Sequence, residues 1–204
     1  MKTVSVSLKR ASFDSVSHGT LKTEDLLNAL GNELEWLILR NGDFLSLPEN
    51  FATRDRLNKL VGDAGDCFGK DGETLTPEGE ENGSEIVNKL CDALTEFAPL
   101  YGQFGTHCGD GADFGYWTDL DSVKEQVGFV SHVDREYPEA GFEGEWLHVN
   151  ERGNCTLYVR EGDVDREIWS IRLNRNTNPT THENLHCHTP PRSRNVSPKG
   201  NRNV

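Results

Sequence analysis

The stretch SEIVNKLCDALTEFAP (residues 84–99) runs directly into LYGQFGTHCGDGADFGYW (residues 100–117). In the first half Ile86, Leu90, Ala93, Leu94 and Phe97 recur at intervals of three and four, the spacing of one buried helix face. Ser84 stands where an N-cap would, and Pro99 ends the run, because the residue before a proline is pushed out of helical geometry. In the second half the helical period is gone. Glycines and aromatics take its place and predict two strands, 101–107 and 113–118, around Gly109-Asp110-Gly111. The change of period at Pro99 decides the fold class: helices precede it and strands follow it.

Working back toward the N-terminus, Leu26, Leu27, Leu30, Leu34, Leu37 and Ile38 form one apolar stripe. Thr23 is placed to cap this helix, Glu24 and Asp25 suit its positive end, and Asn41-Gly42 supplies residues that tolerate positive φ at its close. A shorter helix is expected over 50–61, closed by Gly62. The span 62–83 is dense in glycine and acids and reads as an exposed acidic loop of unusual length. Val4, Val6 and Leu8 alternate with polar residues, which predicts a strand over 3–9, followed by a Ser/Gly-rich loop over 12–20.

Working forward, 121–127 reads as a short helical segment and 134–144 as a charged loop containing Pro138. A hairpin follows, 145–150 and 154–160 about Glu151-Arg152-Gly153, and then a last strand, 166–173, with Trp169, Ile171 and Leu173 on one face. The expected fold is α+β: a largely antiparallel sheet packed by two or three helices on one face. Residues 1–173 would form one acidic domain. Residues 174–204 lack apolar periodicity and read as a disordered, mildly basic tail.

Charge is the second guide. The 204 residues hold 21 Lys+Arg and 34 Asp+Glu, a formal charge of −13. From residue 174 onward there are five basic residues and one acid, so residues 1–173 carry −17. A domain that acidic repels phosphate, which argues against direct nucleic-acid binding. No apolar run approaches the roughly 18 residues of a membrane span, and the first residues lack the apolar core of a signal peptide. Cys67, Cys91, Cys108, Cys155 and Cys187 are odd in number and scattered, which fits free thiols in a reducing cytoplasm.

Chemistry-bearing residues concentrate in 104–117. Here Gly109-Asp110-Gly111 makes a turn, Asp110 bonds back to its own backbone, and Phe104, Phe114, Tyr116 and Trp117 supply packing, with Gly105 and Gly115 beneath neighbouring rings. The functional alternative gathers His107, Asp110 and Asp113, with His148 or His132 from elsewhere, around a polar ligand or cation. The spacing fails as an EF-hand, since Asp110 and Asp113 are three apart, and no phosphate-loop or dinucleotide fingerprint occurs. Cys108 adjoins His107, but strand neighbours point to opposite faces, so the pair makes a poor thiol–base couple. His148 shares a strand face with Trp146. In the tail, His182, His186, Cys187 and His188 are of metal-ligand type, but they lie in one run and not in separated pairs. No cofactor class follows from these residues.

Two segments together, SHGTLKTEDLL (17–27) and the 104–117 stretch in the form Phe-Gly-x-His-x-Gly-Asp-Gly-x-Asp-Phe-Gly-aromatic-Trp, resemble small uncharacterised proteins of bacteria and their phages. The resemblance spans the folded region and not the tail. It implies a bacterial or phage setting and brings no activity with it.

These readings favour a binding role over catalysis: an acidic accessory protein whose partner is a protein with a basic surface, in its sharpest form a DNA-mimicking or anti-defence inhibitor from a mobile element. The rival is an enzyme or ligand-binding protein built on 104–117. A third expectation is an assembly protein that associates through a sheet edge.

Overall fold

The computed structural model describes residues 6–132 and 136–172. Its helices are α1 (Thr23–Arg40), α2 (Gly42–Leu45), α3 (Phe51–Gly65), α4 (Pro77–Thr95) and α5 (Leu120–Gln126). Its strands are β1 (Ser15–Ser17), β2 (Gly102–His107), β3 (Asp110–Thr118), β4 (Phe129–Ser131), β5 (Gly144–Val149), β6 (Cys155–Glu161) and β7 (Val164–Ile171). The fold is α+β, with the strands divided between two sheets. One is antiparallel in the order β1-β3-β2; the other has the order β4-β5-β6-β7, with β4 parallel to β5 and the rest antiparallel.

Each sheet has its own apolar core. The α1 stripe is buried throughout, and Leu30 and Leu34 meet Leu57 of α3 and Leu90 and Leu94 of α4 with no exposure at all. Phe104 and Tyr116 close this core from the first sheet, their rings edge to face at 4.9 Å. The smaller core sets Leu120 and Val123 of α5 among Leu147, Leu157 and Trp169 of the second sheet. At roughly 1.5–3 kcal/mol per fully buried large apolar side chain, the helical core is the main stabilising mass.

Several local expectations are corrected by packing. Residues 6–9 form no strand, and 3–5 lie outside the described residues; a strand forms instead inside the expected 12–20 loop, at Ser15–Ser17. It can do so because Gly115 has no side chain: a Cβ there would stand 2.3 Å from the Asp14 carbonyl oxygen. Thr23 is the first helical residue and not the cap, which is Lys22; the Thr20 hydroxyl takes the Lys22 N–H and donates to Asp25. Asn41 ends α1 through its side chain and not through positive φ. Its φ is −101°, it is 1% exposed, and its amide donates to the Leu37 and Lys9 carbonyls while its oxygen accepts the Lys9 N–H.

The acidic loop expected over 62–83 shrinks to residues 66–76. Gly62 continues α3, which reaches Gly65 and buries Ala64 against Gly31. Thr76, not Ser84, caps α4: its hydroxyl oxygen accepts the Gly79 N–H at 3.0 Å, and Pro77 occupies the first turn. Gly79 and Gly83 lie within the helix because neighbours occupy the space a side chain would need. A Cβ on Gly79 would be 2.1 Å from the Cys67 carbonyl oxygen, and one on Gly83 2.7 Å from Thr23 Cγ2.

Beyond Pro99 the strand pairs are those expected, with shifted ends. The turn of the β2–β3 hairpin is Cys108-Gly109, because Asp110 already pairs with His107. The last strand begins at Val164 and ends at Ile171, and a bulge beside Leu157 and Tyr158 leaves Ile168 without an opposite residue. Strand β4 had no signal in the sequence. No helix among the described residues is long and apolar enough to cross a membrane. Cys67, Cys91 and Cys155 are free thiols. The expected tail, including Cys187, lies outside the described residues.

Candidate functional site

Alternation along β2 and β3 sorts the hairpin into two faces. Phe104, Phe114 and Tyr116 turn toward the helical core, leaving Gln103, Gly105, Asp113, Gly115 and Trp117 on the outer face. A Cβ on Gly105 would meet nothing within 4 Å, so that glycine does not lie under a ring as expected, but Gly115 makes room for the Trp117 indole. Its Nε1 donates to the Gly105 carbonyl at 3.0 Å, and a Cβ on Gly115 would come within 2.8 Å of its ring. His107 meets the same indole edge to face, with ring centres 4.8 Å apart, and its Nδ1 accepts the Gly109 N–H.

Asp110 stays with its own turn and accepts the Ala112 N–H at 2.9 Å. Asp113 takes partners from the N-terminal segment: the Ser15 hydroxyl donates to one carboxylate oxygen, and His18 Nδ1 lies 3.6 Å from the other. Serine, carboxylate and imidazole therefore meet, but the carboxylate stands between the other two. A nucleophilic serine needs the imidazole on its hydroxyl, and here it is on the acid. His107 and Asp113 share a region of the outer face, while Asp110 is occupied at the tip.

His148 belongs to the other sheet. It lies on β5 opposite Thr156 and beside Ser131 of β4, with its ring 6.4 Å from Trp146. His132 is exposed just after β4. Among the described residues no group of three His, Cys, Asp or Glu side chains is placed to hold a metal ion. His182, His186, Cys187 and His188 fall outside the described residues.

Three polar constellations had no clear sequence signal. Tyr101 is the non-glycine residue with positive φ, 64°, at the third position of the turn Pro99–Gly102, where the Gly102 N–H meets the Pro99 carbonyl at 2.8 Å. This strained backbone is held by the contacts joining the two sheets. The Thr118 hydroxyl donates to the Tyr101 carbonyl, and the Tyr101 phenol donates to Glu145, a bond that, with burial, pushes the phenol's pKa up to about 12. Trp169 Nε1 donates to the Leu100 carbonyl beside them at 2.9 Å.

Second, the Arg160 guanidinium grips Asp165 with two bonds, 2.8 and 2.6 Å, while Trp146 Nε1 donates to the same carboxylate at 2.9 Å. The Arg160 hydrogen bonds hold the Asp165 pKa below its ordinary value. Third, Glu33 accepts from the buried Tyr116 hydroxyl, and burial raises the Glu33 pKa despite that bond.

The acids gather most densely where α3 hands over to α4. Asp66, Asp71 and Glu73 on the connection and Glu78, Glu80, Glu81 and Glu85 on α4 are all exposed. Asp71 folds the connection by accepting the Glu73 and Thr74 N–H groups and the Thr74 hydroxyl. Lys89 pairs with Glu85 and Lys59 with Asp63; no ion pair among the described residues engages Glu78, Glu80 or Glu81.

Comparison of the chain with protein-family models, with curated proteins and with solved structures returns no match.

Proposed function

We propose that this protein is an acidic accessory factor that binds a partner protein through the face formed by residues 66–76 and the first half of α4. The observation that carries this reading is the placement of Glu78, Glu81 and Glu85 at intervals of three and four on one exposed helix face. Acids in the first helical turn have a structural explanation, since they offset the helix dipole. Glu81 lies beyond that turn, at helical spacing from Glu78 and from Glu85, whose charge Lys89 only partly offsets, and like charges at that spacing repel one another. A basic surface relieves that repulsion.

At a rise of about 1.5 Å per residue the three glutamates step along the helix by about 4.5 and 6 Å. Phosphates of one duplex strand advance by about 3.4 Å along the axis. The glutamate steps are about 1.3 and 1.8 times that advance, so the face offers a row of negative charges at intervals of the same order but not in register with phosphates, which is the DNA-mimic form of the proposal. An inhibitor of that kind, carried by a mobile element against a host defence protein, is its most specific version.

The test is cross-linked capture from a bacterial host, with the Glu78→Gln, Glu81→Gln, Glu85→Gln variant as control. A partner held by the native chain, released by salt, lost with the variant and competed by duplex DNA supports the reading. Identical capture by the variant refutes it. A second reading, a polar ligand seated on the outer face of the hairpin between His107 and Asp113, is favoured by the indole set against Gly115 with its Nε1 on the Gly105 carbonyl. Ligand-dependent change in tryptophan emission, abolished by Trp117→Phe, would support that alternative.

A further inference from the structure

A groove of about 580 Å³ lies where the segment before β1 passes β7. One wall is formed by five consecutive residues, Arg166–Ser170, and the other by Arg10–Phe13. Successive strand residues point to opposite faces, so a cavity lying over a face would meet only every second one. A cavity met by five in succession runs along the strand's edge. Strand order agrees: β7 ends its sheet and, among the described residues, pairs with β6 alone.

The opposite wall has no regular secondary structure, and part of the backbone there is already engaged. Lys9 gives its N–H and C=O to Asn41, and Ala11 gives its N–H to the Phe97 carbonyl.

The side chains set the chemistry. Arg10, Arg40 and Arg166 all line this one groove, with Glu167 as the acid among the lining residues. All three arginines are exposed. Arg10 donates one N–H to the Ala98 carbonyl; Arg40 lies 5.1 Å over the Trp36 ring; Arg166 is 4.0 Å from Glu161. Each guanidinium has five N–H donors, so these contacts leave donors to spare. Phe13 and the buried Trp169, edge to face at 5.4 Å, give the groove an apolar lining. In a chain of charge −13, three arginines around one slot make a local attractive site for anions.

We propose that this groove binds an extended, acidic peptide segment of a partner protein by strand addition to β7, with the peptide's carboxylates on Arg10, Arg40 and Arg166. Backbone pairing along the edge supplies affinity, and the arginines select acidic over basic sequences. At about 3.4 Å per residue the five-residue wall spans about 17 Å, which sets the bound segment at five to six residues. This surface is distinct from the acidic face of α4 and opposite to it in charge.

The experiment titrates the full chain into a fluorescein-labelled, end-capped Glu-Val-Glu-Val-Glu-Val peptide and reads anisotropy. Three comparisons accompany it: the Lys-Val counterpart, an Glu-Val peptide N-methylated at alternate amides, and the variants Arg10→Ala, Arg40→Ala and Arg166→Ala, each checked by circular dichroism. Binding of the acidic peptide is expected, with none of the basic one. Each arginine variant should weaken it about three- to tenfold, and N-methylation at least about tenfold. Amide shifts in the native protein should cluster on Arg166–Ser170.

Failure of the acidic peptide to bind overturns the proposal. So does equal binding of the N-methylated peptide, which would leave only charge attraction. A dimer in sedimentation that Arg166→Ala dissociates, with no peptide bound, would place a second copy in the groove and overturn it likewise. The Glu78→Gln, Glu81→Gln, Glu85→Gln variant should bind the peptide as the native chain does, which separates this result from the test of the acidic face.

Discussion

Replacing Gly79 by alanine tests the seating of α4 on the connection that precedes it. In an open helix the change favours folding, by about 1 kcal/mol. Here the new Cβ would stand 2.1 Å from the Cys67 carbonyl oxygen. Ordinary C···O contacts begin near 3.3 Å, so the backbone must part by about 1.2 Å. The Cys67 carbonyl accepts the Thr76 N–H at 2.8 Å and the Thr76 hydroxyl at 3.3 Å, and Thr76 in turn caps α4. Moving it costs those bonds and the cap, about 1 kcal/mol each, besides the overpacking strain of about 1–3 kcal/mol. After the helical gain the net loss is about 3–5 kcal/mol, or about 6–20 °C in Tm for a chain of this size.

Gly62 is the internal control. It lies in α3, and a Cβ there would meet nothing within 4 Å, so Gly62→Ala should stabilise by up to about 1 kcal/mol. Urea unfolding followed by far-ultraviolet circular dichroism measures both. The argument fails if Gly79→Ala is as stable as the native chain, or if Gly62→Ala is the more damaging of the two.

Asn41→Ala leaves the Lys9 N–H and the Lys9 and Leu37 carbonyls without the buried amide, and should cost about 2–3 kcal/mol in the same assay. Asp165→Asn should cost about 2 kcal/mol at pH 7 by weakening the grip of Arg160. The Asp165 pKa is lowered from 3.8, so its contribution is present above that value and fades as pH falls through the depressed folded value; the gap between native and variant should therefore close in strong acid. Glu33 has the opposite sign. Its folded pKa is raised from 4.5, first by burial, so its contribution is full below 4.5 and is lost as pH rises through the folded value. Thermal melts of Glu33→Gln against the native chain should show the variant gaining relative stability from pH 4 to pH 8.

The helix stripes and the paired strands after Pro99 were legible in the sequence because one-sided burial leaves a local periodic trace. Leu26 through Ile38 reads as a helix wherever its partners lie, and the 145–160 hairpin reads from its alternation and its glycine turn. The α+β class follows from those traces. Of the candidate site, part was readable: Asp110 bonds its own turn and Gly115 lies against the Trp117 ring, whereas Gly105, expected beneath a ring, offers the indole only its carbonyl. That Asp113 would meet Ser15 and His18 was not, since those residues lie almost a hundred positions apart in the chain.

Tertiary structure decided everything that depended on what a residue without a side chain was meeting. Gly79 and Gly83 looked like loop residues because glycine weakens isolated helices, yet each lies in α4 where a neighbour fills the space of its Cβ. Gly115 made β1 possible by admitting the Asp14 backbone, and Tyr101 carries a positive φ that no tyrosine favours, with Thr118, Glu145 and the Trp169–Leu100 contact around it. The groove of three arginines is of the same kind: residues 10, 40 and 166 carry no common motif, and only the passage of the N-terminal segment beside β7 brings them together. Periodicity records that a face is buried; it does not record against what, and that second fact comes only from the folded chain.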